Sequence, residues 1–434
     1  MGKNYYEQGR LFTEQQMKNV ITARTFSMKG SMSMESGKQC CNRCFQEVAK
    51  TNLLPNGKTY CRFCIAFGRV ESESQLYYFA PQAFPKGDYL SWNGQLTPYQ
   101  EKISEFLLGN YLNKKNSLVH AVTGAGKTEM IYKLIESVIN QGGWVCFTSP
   151  RVDVCIDIKN RLVRDFSCPI TIMYGGSEEY RPAPLIVSTT HQLLKFYRAF
   201  DLLIIDEVDA FPFLGNVVLN KATQSCLKEE GKVVCLTATS TNELEQKVSD
   251  GHYEKIRLSR RFHNQPLVVP KFQLIYPLSK QFEKNKFPNL LSNLISQQRQ
   301  TAFPLLIFYP LITEGEKFTK ILQKASPKEK IAFVSSKSDD RKEKIDAFKK
   351  RQIDILVTTT ILERGVTFPE VDVYVILANH KLFTSSSLIQ IAGRVGRSVS
   401  RPSGQLLFIH EGVSLQMKKA RKQIIEMNKE AFGE

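Results

Sequence analysis

No run of about 18 apolar residues, the length a bilayer-crossing helix needs, occurs anywhere in the chain. The opening MGKNYYEQGR also lacks the apolar segment of a secretory signal. Neither a helical membrane span nor export is therefore expected. Acid is in short supply: 42 Asp and Glu stand against 59 Lys and Arg, giving a net charge of +17 and a pI of about 9.3. A field of that sign favours a polyanionic partner, of which nucleic acid is the commonest; the alternative is a basic surface that only aids solubility. A disulfide framework is missing too. Of ten cysteines, Cys41, Cys44, Cys61 and Cys64 form two close pairs, while Cys146, Cys155, Cys168, Cys226 and Cys235 are scattered through apolar segments. That usage fits a reducing cytosol. No short sequence repeat is visible.

What is present is α/β patterning on a length that suggests two or three domains. Residues 1–39 are polar and rich in Met, Ser and Lys, and read as a flexible N-terminal segment with a weak helical pattern over 13–25. Residues 40–85 hold the cysteine pairs, followed by a short extended piece from Tyr77. Beyond residue 86, short apolar runs (SLVHAV, WVCFTS, PLIVST, DLLIIDE, VVCLTAT) alternate with helical stretches, as buried parallel strands do. A second set (PLLIFYP, KIAFVSS, IDILVTTT, VDVYVILA, GQLLFIH) follows a looser Pro-containing stretch near 262–302. The expectation is two tandem parallel-sheet α/β domains, 86–265 and 266–434, behind a small four-cysteine module.

The stretch HAVTGAGKTEMI lies between an expected strand, 117–122, and an expected helix, 127–140. A strand, a glycine-bearing loop and a helix in that order make a phosphate cradle. Gly124 and Gly126 let the backbone close on phosphate oxygens, so Thr123, Gly124, Ala125 and Gly126 would present N–H groups to the anion. Lys127 would reach the β- and γ-phosphates, and the Thr128 hydroxyl would ligate Mg²⁺. Ala121 stands where the general pattern has glycine. DLLIIDEVD is an apolar strand that ends in carboxylates, with Asp206 placed 79 residues after Lys127. Such a strand carries its terminal acids to the sheet edge where the phosphate loop lies. Asp206 would hold Mg²⁺, and Glu207 would orient and deprotonate the attacking water.

Taken in order, these motifs resemble those of superfamily 2 helicases over roughly residues 92–398. LTPYQ resembles the adenine-reading element, with Gln100 as its amide. TSPRVDV from Thr148 and STTHQLL from Ser188 resemble nucleic-acid-contacting motifs, and TATS at 237–240 resembles the motif coupling hydrolysis to strand movement. TTTILERGVTFP, which contains Gly365, resembles the fifth motif, and QIAGRVGRS, with Gln390, Arg394 and Arg397, the sixth. The resemblance implies two RecA-like domains, ATP with Mg²⁺, and arginines that stabilise charge during γ-phosphoryl transfer. Three departures stand out: DEVD is neither DEAD nor DEAH, Ala392 replaces an arginine common in relatives, and Thr367 replaces an acid found in some. ERGVTFP looks more like the DNA translocases of the primosome and recombination type.

CNRC and CRFC, separated by 16 residues, are the spacing of a tetrahedral S₄ zinc site with Cys41, Cys44, Cys61 and Cys64 as ligands. A redox pair is the alternative, but it needs only two cysteines. Cys40 is an open alternative to Cys41, although the two-residue spacing favours Cys41. Arg43, Lys50, Lys58, Arg62 and Arg69, interleaved with Tyr60, Phe63 and Phe67, suit single-stranded nucleic acid as well as they suit a small packed module with solvated charges. A four-cysteine module ahead of two helicase-like domains resembles the ComFA family of late competence ATPases. That resemblance implies a cytoplasmic motor at the inner face of the cell membrane, acting on single-stranded DNA with the uptake channel. It also implies the partners ComFC and DprA, and a homo-oligomer is compatible with it. Two other readings stay open: a DNA helicase of replication restart or repair, and a nucleotide-gated DNA-binding adaptor. Of the remaining candidates, His120 reads as a packed histidine, His191 as a histidine near a binding motif, and Trp92 as either an adenine-stacking or a packed ring.

Overall fold

The computed structural model describes residues 6–433 except 19, 21–25, 211 and 214. The chain divides into two compact units, one comprising Met1–His120 and Lys127–Arg257, the other Ala121–Gly126 and Leu258–Glu434.

Five strands belong to the N-terminal module: β1 (Leu11–Thr13), β2 (Ser27–Gly30), β3 (Met32–Glu35), β4 (Lys38–Cys41) and β5 (Gln75–Tyr78). They form an antiparallel sheet in the order β1-β5-β2 and a separate β3-β4 hairpin. The described part of the segment expected to be a flexible lead-in therefore carries strands. Its polar composition hid strands with only one face to bury: Leu11 and Thr13 point inward while Met28 and Met34 stay exposed. The hairpin turns through Ser36 and Gly37, both in the left-handed region (φ 48° and 77°), and delivers Cys41 to the cysteine cluster. The helix expected over 13–25 appears as one turn, Glu14–Met17, capped by Thr13; residues 19 and 21–25 lie outside the described residues.

The first α/β sheet contains β6 (Ser117–Ala121), β7 (Val145–Ser149), β8 (Ile170–Met173), β9 (Leu185–Thr189), β10 (Phe200–Ile205), β11 (Leu227–Thr237) and β12 (Glu254–Leu258) in the order β12-β6-β11-β10-β7-β9-β8. The pairings from β6 through β8 are parallel. Strands β6, β7 and β9 are buried at every position, which is why continuous apolar runs announced them. The outer strands β8 and β12 are only partly buried and carried no such run. The N-terminal module packs on this sheet's own core. Gly9 has φ 70°, and a Cβ there would meet the Ala199 Cβ at 3.0 Å and the Trp144 ring at 3.3 Å, so only glycine passes. Trp144 is fully buried and donates to the Gln82 carbonyl (2.7 Å). The Tyr180 hydroxyl donates to the Gln8 carbonyl (2.9 Å).

The second sheet comprises β13 (Lys271–Leu274), β14 (Leu305–Phe308), β15 (Ile331–Val334), β16 (Ile355–Thr358), β17 (Asp372–Ile376) and β18 (Leu406–His410). Its order is β13-β18-β17-β14-β16-β15, parallel throughout. β13 sits inside the stretch expected to be loose; as a partly buried outer strand it has no apolar run to betray it. In each sheet the parallel strands bring their C-terminal ends to one edge, where α/β proteins place ligands.

Candidate functional site

β6 leads into the glycine loop, and helix Lys127–Met130 follows it directly. Gly124 and Gly126 take φ of 81° and 72°, a conformation that side-chain-bearing residues resist. Ala121, at the position where glycine is usual, is a buried residue of β6 itself, so its extended backbone needs no glycine. Thr123, Ala125 and Thr128 are buried, and Lys127 is half-buried.

At the end of β10 the DEVD turn is fixed from both neighbouring strands. The Asp206 N–H donates to the Thr148 carbonyl beside β7 (2.8 Å), and the Val208 N–H to the Leu236 carbonyl of β11 (3.3 Å). Glu207 adopts φ 54°, which turns the chain sharply enough for its N–H to donate to Asp206 Oδ1 (2.9 Å). Asp209 is buried and accepts the Thr239 hydroxyl at Oδ2 (2.6 Å), while the Thr237 hydroxyl lies 2.9 Å from Oδ1. The acid turn and TATS are thus one hydrogen-bonded unit. The same segment reaches β6: His120 Nε2 lies 3.2 Å from the Ala238 carbonyl, and burial, aided by Arg257 and Lys255, pulls the His120 pKa down to about 4. His120 is accordingly a neutral packed donor rather than a base. A carboxylate pair on such a turn can ligate a hard cation and polarise water.

Gln100 is buried at the start of helix Pro98–Leu112, where its Oε1 accepts the Thr97 N–H (2.9 Å) in a capping box. Trp92 packs edge-to-face on Tyr132 (5.5 Å between centroids), and both line a cavity of about 490 Å³ together with Leu96 and Glu129. His191 is exposed in the turn after β9.

In the second unit the turn after β16 carries Glu363, Arg364 and Gly365, the last with φ 79°. Helix Ser385–Ala392 carries buried Gln390 and ends at Gly393. Arg394 is 3% exposed and donates from Nε to the Glu363 carbonyl (3.2 Å), so the fifth and sixth motifs touch. Arg397 Nη1 donates to Thr367 Oγ1 (3.3 Å), a hydroxyl at the position where some relatives carry an acid. Sequence reasoning missed Arg261. It is 3% exposed and donates from Nη1 to the Val395 carbonyl (2.9 Å), while its Nε and Nη2 have no hydrogen-bond partner. Its place in the unpatterned segment after β12 gave no signal.

The sulfurs of Cys41, Cys44, Cys61 and Cys64 are buried and lie within 4.8 Å of one another. Cys41 and Cys64 are 3.7 Å apart, and Cys44 and Cys61 3.4 Å. Tetrahedral bonds of about 2.3 Å imply an S···S edge of about 3.8 Å, so the cluster fits an S₄ zinc site. Cys40 is only half-buried, and its neighbour Cys41 takes the inward place. The cations around the module divide. Lys50 and Arg62 are exposed, but Arg43 is a buried pin that donates to the Phe67 (2.8 Å), Gly68 (2.9 Å) and Leu11 (3.1 Å) carbonyls.

Residues 97–247 match the family model for DEAD/DEAH box helicases, and residues 285–399 the helicase conserved C-terminal domain. The fold agrees: yeast Dbp5 bound to RNA and ADP–BeF₃ superposes with a TM-score of 0.56 at 16% identity, over 78% of this chain and 88% of that one. This is a helicase-like ATPase with two RecA-like domains. Residues 1–78 match the N-terminal domain model of competence protein ComFA. The chain is 53% identical to the Streptococcus pneumoniae ComFA over 98% of both chains, and 37% identical to that of Bacillus subtilis over 96% of this chain and 91% of the other. It belongs to the ComFA family of competence proteins.

Proposed function

We propose that this chain is an ATP-driven single-stranded DNA translocase that pulls transforming DNA into the cytoplasm, working at the inner face of the membrane beside the uptake channel. The observation that carries the reading is the buried link from the DEVD turn to TATS through Asp209, Thr237 and Thr239. A hydrolytic site needs no such link, whereas a motor must pass the state of its phosphate on to the rest of the fold. Membership of a competence family supplies the substrate class.

In this reading Lys127 and the Thr123–Gly126 backbone hold the phosphates, Thr128 and Asp206 hold Mg²⁺, and Glu207 activates water. Gln390, Arg394 and Arg397 answer the charge that develops on the transferred phosphoryl group. Gln100 reads adenine beside Trp92, from the start of its capped helix. One zinc fills the four-cysteine site, and ComFC and DprA are the partners expected from the family.

The test is the ATP hydrolysis rate alone and with single-stranded DNA, duplex DNA or RNA at equal nucleotide concentration. Preferential stimulation by single-stranded DNA is expected; equal stimulation by RNA, or none by any polymer, overturns the reading. Metal analysis should find one zinc per chain, lost in Cys61→Ser plus Cys64→Ser. Unchanged metal content in that variant would sink the zinc assignment.

A further inference from the structure

Between the N-terminal module and the first α/β sheet lies a cavity of about 730 Å³, within the range of small-ligand sites. One wall is the module, with Arg10, Phe12 and Phe67; the other is the domain, with Tyr180, Gln192 and Lys195. Each component has a ligand-shaped deficit. Arg10 lies over two rings, 5.2 Å from Phe12 and 4.9 Å from Tyr180. Its Nε is buried without a hydrogen-bond partner, and it makes no ion pair with any described residue. Lys195 stands 6.0 Å from the Phe67 ring and is likewise without a carboxylate partner among the described residues. Burial, with Arg10 and Arg43 nearby, pulls its pKa down. Glu178 and Glu179 line the same cavity but form an ion pair with neither cation. Gln192 is 7% exposed, and its Oε1 is buried with no hydrogen-bond partner.

Half-buried cations without a carboxylate partner and a buried, idle amide oxygen are costly for an empty protein, and flat aromatic walls stand beside them. Together they match the parts of one nucleotide. We infer that this cavity takes a nucleotide of the single strand, its phosphate at Arg10 and Lys195, its base against the rings of Phe12 and Phe67, and an exocyclic amine at Gln192 Oε1. Stacking of this kind tolerates any base, as a motor on arbitrary sequence requires. The module then forms part of the strand's path. Gln192 and Lys195 come from the turn after β9, the edge at which this sheet's motifs gather, so the strand need not leave that edge to reach the cavity. The inference rests on the single-stranded DNA reading above.

The experiment uses the full chain and a fluorescein-labelled single-stranded oligodeoxycytidylate, whose bases carry an exocyclic amine, with an internal 2-aminopurine. Gln192→Leu plus Lys195→Met should bind about tenfold more weakly, since one charge contact and one hydrogen bond are lost. The 2-aminopurine quenching seen with the unaltered chain should shrink in that variant. Its thermal midpoint should hold or rise, because an unpaired buried carbonyl is gone. A parallel variant, Lys50→Met plus Arg62→Met, removes two exposed cations from the module and should cost less affinity. Undiminished affinity and quenching in the cavity variant, with binding by the unaltered chain, overturns the site alone. A larger loss in the exposed-cation variant also overturns it, placing the strand on the module's outer face. No binding by the unaltered chain overturns the translocase reading and the site together.

Discussion

At the C-terminal edge of the first sheet the polar groups are acids and hydroxyls: Asp206, Glu207 and Asp209 after β10, Thr237 and Thr239 at the end of β11. In the second unit the charged groups buried around the corresponding motifs are guanidiniums, with Arg261 and Arg394 each 3% exposed and Arg364 4%. The sheets share a parallel construction and differ in the charge gathered around these motifs. Phosphoryl transfer needs both signs, a carboxylate to hold metal and orient water and a cation to receive charge from the phosphoryl oxygens. The acids and Lys127 belong to the first unit and these guanidiniums to the second, so each half can be tested by itself.

The sharpest way to break this comparison is Arg394→Ala. If its guanidinium answers transition-state charge, the ATP turnover number should fall about a thousandfold or more while nucleotide binding persists. A normal rate would remove the cationic half of the argument. Glu207→Gln tests the acidic half: turnover should fall by about 10² to 10⁴, with ATP still bound in an equilibrium assay. Smaller effects probe the scaffold. Thr239→Val leaves buried Asp209 short of one donor, and urea unfolding followed on the first unit should show a loss of about 1–3 kcal/mol. No loss would mean that water replaces the hydroxyl.

The smallest effect concerns His120. Its folded pKa of about 4 lies below its ordinary value of 6.5, so the unfolded chain binds the proton more readily between those values. Stability from this group is complete above about pH 6.5 and is lost as the pH falls towards 4. His120→Gln keeps a donor for the Ala238 carbonyl and should flatten part of that acid-side decline in thermal midpoint. An identical pH profile would show that other groups account for it.

Fully buried strands were legible because burial on both faces leaves a continuous apolar run; β6, β7, β10, β14, β16 and β17 all announced themselves. Of the strands half-covered by solvent, β8, β12 and β13 were not, while β15 still read as a strand from KIAFVSS. The N-terminal strands hid for the same reason, in a stretch whose Met, Ser and Lys content mimics a flexible lead. The glycine loop and the acid turn stood out because each is written in consecutive residues, glycines between a strand and a helix and carboxylates at the end of an apolar run; their binding of phosphate and metal is the proposal above. The structure brings DEVD together with TATS, and Glu363 with Arg394. It withholds Arg43 from solvent, because a guanidinium that meets three backbone carbonyls is a pin, and spacing cannot distinguish a pin from a contact. Arg261 was invisible because its role comes from the carbonyls it meets, over 130 residues downstream.

The glycine wedge at Gly9 has a consequence for synthesis. The first described residues dock on Trp144, Tyr180 and Ala199, so a nascent chain emerging from the ribosome has nowhere to seat its own beginning until about 200 residues have followed. The four cysteines leave the exit tunnel long before that. During this interval the core is not yet there to hold the module's thiols together, and a zinc ion bound by all four would hold them in its place.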